Sequence, residues 1–449
     1  MTVVKRRTVI IGGAASLAAG SVAARPMTQD LGQLGYEALV YALPSYEMFA
    51  TRARALAAGL AQNVFLHSRR LSTATSRAVT APNTDTLYST AWLDLSEPVD
   101  IALPRVGSRY FSLALMDIYS NNFAVLGGAE RTGVDRVRLH FGDRAPAPQA
   151  GVRLIRSPTP MVWALGRTYT TGEADMPAAR ATQDMLKVVG PLKSAPALAP
   201  PPPRSDIAAL LQYANMAMTA NPPPRRDALV LKRLATVGVG PGRSFPQPGL
   251  TVEQVRQAVA GAQRAMAALQ HDEVKPFKGW LYAKPDTGDF GVDYMNRARI
   301  ALTGLAALTV SEAFYLKGAG DHGDQIYDGE VDHSLVFPDG RLPPAEGFWS
   351  ITLYQATPEG QLFLFDNPQD RYSVGSNTGA LARAADGSVK ILISTHRPAD
   401  PALASTWLPA PAGPYRLEFR AFRPGADLVS GRYRVPPVLP EARQRRGRS

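Results

Sequence analysis

Residues 85–95 read DTLYSTAWLDL and residues 109–120 read RYFSLALMDIYS. In the first, Leu87, Ala91, Leu93 and Leu95 share the odd positions with Asp85; in the second, Arg109, Phe111, Leu113, Leu115, Asp117 and Tyr119 do the same. A repeat of two is the period of a strand, because successive side chains leave opposite faces. The runs VDIALP (99–104), RVRLHFG (136–142) and VRLIRSP (152–158) continue the pattern between Pro and Gly breaks. Short strands at close spacing predict a β-sandwich.

Outward from this block the period changes. Asp30 to Leu60 has helical spacing, with Pro44 expected to kink or divide it. Gly172 to Val189 is again helical, and a Pro/Ala tract, APALAPPPPR (195–204), reads as a linker or extended surface loop. Residues 252–269, VEQVRQAVAGAQRAMAAL, form the clearest helix, with Thr251 as its N-cap and Gln254 at the capping-box position. Asp293 to Lys317 is predicted helical up to Gly318. Beyond it, FWSITLYQ (348–355), QLFLFD (361–366), SVKILIS (388–394) and YRLEFRAF (415–422) return to strand patterns.

The expected fold class is therefore α+β. Two β-sandwich, jelly-roll-like blocks carry an N-terminal helix and a helical segment between them. The expected divisions are a signal peptide at 1–25, a helix plus sandwich at 26–193, a linker and helical segment at 194–317, a second sandwich at 318–437 and a basic disordered tail at 438–449.

Charge excludes one class of partner. The net charge is +11, but Lys5, Arg6, Arg7 and Arg25 supply four positive charges and the tail from Glu441 a net three, leaving four on the body. That balance does not suit nucleic acid. The chain has no cysteine, which removes disulfides, zinc–thiolate sites, iron–sulfur clusters and thiol nucleophiles. His67, His140, His271, His322, His333 and His396 never adopt the spacing of a helical metal pair, and GDHGD (320–324) reads as an acidic turn. No metal or other cofactor is implied, and no stoichiometric zinc or iron is expected.

The residues that could carry chemistry are polar groups on apolar faces. Asp85 and Asp117 are the candidate catalytic residues, either of which would be the acid/base, since a carboxylate on such a face must be paired, hydrogen-bonded or protonated. Arg109 cannot reach Asp117 within one strand: eight residues span about 26 Å. Asn83, Tyr88, Arg109, Arg167, Trp349, Tyr354 and Arg371 are the candidate ligand-binding residues, with the arginines suited to a carboxylate or phosphate. Each has a plain structural alternative: turn chemistry for Asp85, a salt bridge for Arg167, core packing for Trp349 and Tyr354. Two function classes follow. One is an enzyme acting on a small organic molecule by acid/base chemistry, of hydrolase or isomerase type. The other is a non-catalytic ligand-binding or envelope-associated protein using the same pocket.

The same stretches resemble a bacterial family that joins the domain of unknown function numbered 1254 to that numbered 1214. The amino-terminal likeness rests on PNTDTLYSTAWLDL (82–95), RYFSLALMDIYSNNFAVLG (109–127) and IRSPTPMVWALGRT (155–168). The carboxyl-terminal one rests on LPPAEGFWSITLYQ (342–355), NPQDRYSVGS (367–376) and WLPAPAGPYRLEFRAFRPG (407–425). The resemblance implies β-sandwich modules with a helical section and says little about function. One departure is Thr406, where the family has Asn before Trp-Leu-Pro.

The paired arginines Arg6 and Arg7 precede a mild apolar run, Thr8 to Ala24, with Ser21-Val22-Ala23 as a small-x-small cleavage pattern. This points to twin-arginine export to the periplasm. The expected partners are the twin-arginine translocase during export and a small-molecule ligand or substrate, with no nucleic acid and no stable membrane span; a homo-oligomer is left open. The mature amino terminus is expected between Ala24 and Met27. Replacing Arg6 and Arg7 by Lys should trap the precursor in the cytoplasm, as immunoblotting of cell fractions would show; unchanged export in a strain lacking the translocase contradicts this.

Overall fold

The strand Thr86–Asp94 pairs over its full length with Met161–Tyr169, from Thr86 opposite Tyr169 to Asp94 opposite Met161. Phe111–Met116 lies on the other side of Met161–Tyr169, and the short strands Leu66–His67 and Asn122–Leu126 complete a five-stranded sheet. A four-stranded sheet of Val152–Arg156, Arg136–His140, Val99–Ala102 and Lys187–Val189 faces it. Ala91, Leu93, Leu113, Leu115 and Val162 of one sheet share a core with Ile101, Val137 and Leu139 of the other. This is the predicted sandwich, except that Lys187–Val189, expected to be helical, is one of its strands while the helix there is Met176–Met185. The structure is a computed structural model and describes residues 30–77, 80–190, 193–270, 275–357, 361–379 and 381–441; the expected signal peptide lies outside them.

Every residue of Phe111–Met116 is buried, because the five-stranded sheet is covered on both faces. Its outer face meets helices: Trp92, Ala114, Met116 and Leu165 pack in one core with Leu39, Leu43, Leu211 and Ala262. The helix Leu31–Ala57 is the axis of that layer and continues through Pro44, so of the expected kink or division the division does not occur. Its residues from Ala38 to Ala50 are buried on all sides, so tertiary packing outweighs the lost backbone bond. The reciprocal cap predicted for Val252–Gln270 forms: the Thr251 amide donates to Gln254 Oε1 at 2.8 Å and the Gln254 amide to Thr251 Oγ1 at 3.3 Å. The Pro/Ala tract is strapped to the layer, with Tyr46 Oη donating to Pro202 O at 2.5 Å and Arg204 gripping Glu47.

The second sandwich sets Trp280–Tyr282, Ala313–Gly318, Tyr415–Pro424, Ala345–Ala356 and Leu362–Leu364 in one sheet, with Ser373–Gly375 also paired to Ala345–Ala356. Trp407–Pro409, Val389–Ser394, His333–Phe337 and Val438–Pro440 form the other. Three expectations change here. The helix expected from Asp293 to Lys317 is Tyr294–Thr303, ending at Gly304, and Ala313–Gly318 is a strand. The second sandwich thus draws strands from what the sequence assigns to the helical segment. Residues 438–441, assigned to the tail, belong to the fold: Val438–Pro440 pairs with His333–Leu335, and Glu441 meets Lys390 at 2.7 Å. From Leu31 onward the chain forms one compact unit. No helix among the described residues is long and apolar enough to cross a membrane.

The helix pair Leu31–Ala57 and Val252–Gln270 touches backbone to backbone. A Cβ added at Gly261 would lie 1.8 Å from Gly32 O, and one at Gly35 would lie 1.9 Å from Ala258 O. Gly261→Ala gains about 1 kcal/mol in helix propensity but must push two backbones apart, which costs more than the about 1–3 kcal/mol of ordinary overpacking. The variant should lower the urea midpoint, whereas Gln263→Ala on the exposed face should leave it within error.

Candidate functional site

Asp85 leaves the first sandwich and enters a nest built by the second. Its Oδ2 accepts from Ser350 Oγ at 2.7 Å, and its Oδ1 from Asn377 Nδ2 at 2.9 Å and Ser373 Oγ at 3.3 Å. The carboxyl is fully buried, and desolvation raises its pKa against the pull of these donors and of Arg420. Asn83 shapes the approach, because its Oδ1 accepts the amides of Asp85 at 2.6 Å and Thr86 at 3.2 Å. These bonds make it the turn residue that presents Asp85.

Beside this nest stands Arg420, which sequence reasoning missed. Nη1 donates to Tyr354 Oη at 2.7 Å, and Nη2 donates to Ala81 O at 3.1 Å and to the Glu418 carboxylate. Tyr354 Oη in turn donates to Pro82 O at 2.8 Å. The available signal was the alternation of Arg416, Glu418 and Arg420 with Leu417, Phe419 and Ala421, which marks one polar strand face. The electrostatic influence of Arg420 reaches Tyr88, whose cross-strand partner is Arg167. The Arg167 guanidinium lies over the Tyr88 ring at 5.5 Å and donates through Nη2 to Ala306 O at 2.9 Å. Its Nη1 is buried with no hydrogen-bond partner among the described residues. Tyr110 and Tyr315 complete its surroundings. Tyr88, Tyr169 and Tyr315 remain half-buried around these enclosed charges.

The other candidates lie elsewhere. Asp117 heads a tight turn: Oδ1 accepts the amides of Tyr119 and Asn121, both at 2.9 Å, and Oδ2 accepts Asn121 Nδ2 at 3.0 Å. Burial raises its pKa too. Arg109 forms a bidentate pair with Asp175, both bonds 2.6 Å, and donates to Tyr169 O. Arg371 donates to Ala404 O and Ser405 O, the last carbonyls of the short helix Pro401–Ser405. Trp349 is core, against Phe337 and Phe419, with an edge on a shallow depression lined by Leu342, Ser376, Leu381 and Arg383. Thr406 donates to Lys390 O at 2.6 Å. Of the four residues expected to converge, Asp85 lies within electrostatic reach of Tyr169, and Arg167 beside Tyr88, Tyr110 and Tyr315, whereas Asp117 is engaged in its own turn and Arg371 at a helix end. No group of three His, Asp or Glu side chains among the described residues is arranged to hold a metal ion.

The raised pKa of Asp85 has a definite sign. Its ordinary value is 3.8. Between that value and the higher folded one, the folded state holds a proton that the unfolded chain has released, so stability falls as pH rises through the window. Asp85→Asn cannot ionise and keeps an acceptor for Asn377 and a partner for Ser350. Its melting midpoint relative to wild type should therefore improve as the pH rises above about 4. A difference that does not vary with pH contradicts this account.

Residues 62–190 match the family described as "Protein of unknown function (DUF1254)". Residues 312–426 match the one described as "Protein of unknown function (DUF1214)". The chain is similar in fold to the crystal structure of the VPA0106 protein from Vibrio parahaemolyticus, at 21% identity and a TM-score of 0.68 over 92% of this chain and 100% of that one. An uncharacterized protein from Burkholderia cenocepacia aligns at 14% identity and a TM-score of 0.43, over 92% of this chain and 93% of its own. No curated protein matches the chain. The motifs around Asp85 and Arg167 fall in the first matched region and those around Ser350, Asn377 and Arg420 in the second, and the chain belongs to the proteins that carry a DUF1254 region followed by a DUF1214 region.

Proposed function

We propose that this chain works in the periplasm, after twin-arginine export, by binding a small organic acid in the seam between its two sandwiches. The observation that carries the reading is Arg167: a buried guanidinium that, among the described residues, has one nitrogen unpartnered and no carboxylate bonded to it, with half-buried tyrosines around it. Buried polar groups are almost always satisfied, and a planar fork of donors matches a carboxylate. The ligand's carboxylate meets Arg167, and its body lies against Tyr88, Tyr169 and Tyr315.

A second reading, turnover of the bound acid by proton transfer, is favoured by Asp85. Burial holds its carboxyl toward the neutral form, as an acid catalyst requires. Both its oxygens are engaged by Ser350, Ser373 and Asn377, so turnover needs that nest to open. Hydrolysis and isomerisation are the reaction types this acid/base group suits.

The test is native mass spectrometry of the protein taken from the periplasm of its host, followed by titration calorimetry with monocarboxylates from acetate to benzoate. Losing a hydrogen bond to a charged group costs about 1.5–3 kcal/mol, so Arg167→Gln should bind about 10- to 100-fold more weakly. A retained mass that persists unchanged in Arg167→Gln, or no saturable binding of any acid, would remove the reading.

A further inference from the structure

We propose that Arg297 holds one small monovalent anion inside the protein, where the helical layer meets the first sandwich. This place is separate from the Arg167 seam and does not depend on the function proposed for it. Arg297 belongs to the helix Tyr294–Thr303 and is completely buried. Nε, Nη1 and Nη2 all lack a hydrogen-bond partner among the described residues. A guanidinium carries five N–H donors, and burying them unmet is costly.

The surroundings limit what can meet them. Tyr41, Tyr119 and Tyr294 pack around the guanidinium carbon, with ring centroids at 5.3, 5.7 and 5.0 Å. Rings attract a cation through their faces but offer no lone pair in the guanidinium plane. The phenol oxygens are engaged elsewhere: Tyr41 donates to Asp227 Oδ2 at 2.9 Å, Tyr294 to Asp227 Oδ1 at 2.7 Å and Tyr119 to Asn221 O at 2.6 Å. Among the described residues nothing supplies the in-plane acceptor, so a bound anion is proposed to supply it.

The local charges set its sign and valence. Two carboxyls lie within electrostatic reach, Asp117 and Asp227, and neither is hydrogen-bonded to Arg297. Asp227 has both oxygens bound by phenols and a second cation, Arg226, at 3.9 Å. Asp117 has both oxygens bound within its own turn, and burial favours its neutral form. Neither carboxyl meets the Arg297 donors, and since Asp227 already offsets part of the local positive charge a single added negative charge is proposed. Arg297 is completely buried and Tyr41 and Tyr119 nearly so, which favours the smallest anions, a halide or formate.

The test uses the full chain, purified in potassium glutamate, whose anion is too large to be enclosed. Sodium chloride, sodium bromide or sodium formate is then titrated at constant ionic strength while the melting midpoint is read. The expected result is a saturable rise, with the half-maximal concentration at least ten-fold higher in Arg297→Lys and no saturable rise in Arg297→Met. Crystals grown in bromide should show an anomalous peak in the plane of the Arg297 guanidinium, a readout that survives if the variants fail to fold. Bromide against chloride and formate distinguishes a halide from a carboxylate source. A midpoint that drifts alike in wild type and variants, with density for water alone beside Arg297, overturns the proposal.

Discussion

Glu312 sits at the head of the strand Ala313–Gly318 with its side chain almost entirely buried, and it takes both its partners from the first sandwich. Arg131 grips it with two bonds, at 3.1 and 2.8 Å, and Tyr110 Oη donates to it at 3.0 Å. Other polar bonds cross the same seam, among them Asp85 into the Ser350–Ser373–Asn377 nest and Arg420 onto Ala81 O. A buried ion pair adds little net stability compared with a well-packed apolar pair. Removing one partner is another matter, because the uncompensated charge costs about 3–5 kcal/mol. The seam is therefore held to one geometry, since any slide of one sandwich over the other would orphan several charges at once.

Aromatic stacking fills what the polar bonds leave. Tyr169 stacks on Phe348 at 4.2 Å, Phe348 on Phe422 at 4.4 Å, and Tyr110 meets Phe422 at 5.3 Å. These rings belong to the core that contains the helix Leu31–Ala57 and the outer face of the five-stranded sheet. One apolar mass thus runs from the helices through the first sandwich to the second. Arg167 and Arg297 are embedded in its margins, where a charge without a partner is most costly. That placement makes both residues informative: a fold that satisfies Arg109, Arg138 and Arg204 with bidentate carboxylates leaves donor nitrogens of these two unmet.

Much of the architecture was legible in local pattern. A period of two marked Thr86–Asp94 and Phe111–Met116, Thr251 and Gln254 marked a helix start, and ordered motifs marked the two family regions. The misreadings share a cause. Ala313–Gly318 continues an apolar run begun by a helix, and its character comes from pairing with Tyr415–Pro424, about a hundred residues away in sequence. Pro44 signals a break in an isolated helix, but a fully encased one tolerates it. Among the candidate site residues, Asp85 and Arg167 stood out because each is a charge in an apolar stretch. Arg420 and Arg297 did not, because arginine among alternating or helical polar positions looks like a solvated face.

By itself the sequence determined the α+β class, the presence of two strand blocks, the absence of thiol chemistry and the identity of Asp85 and Asp117 as carboxyls that could not remain bare. Those properties depend on neighbours in the chain, on period and on residue type. Only the tertiary structure decided that Asp117 closes its own turn while Asp85 joins two sandwiches. It alone decided that Arg109 and Arg371 hold loops, and that Arg167 and Arg297 keep donors unmet among the described residues. A partner for a buried charge is chosen by which surfaces meet, and those meetings join residues more than two hundred and fifty positions apart, as Asp85 and Ser350 are.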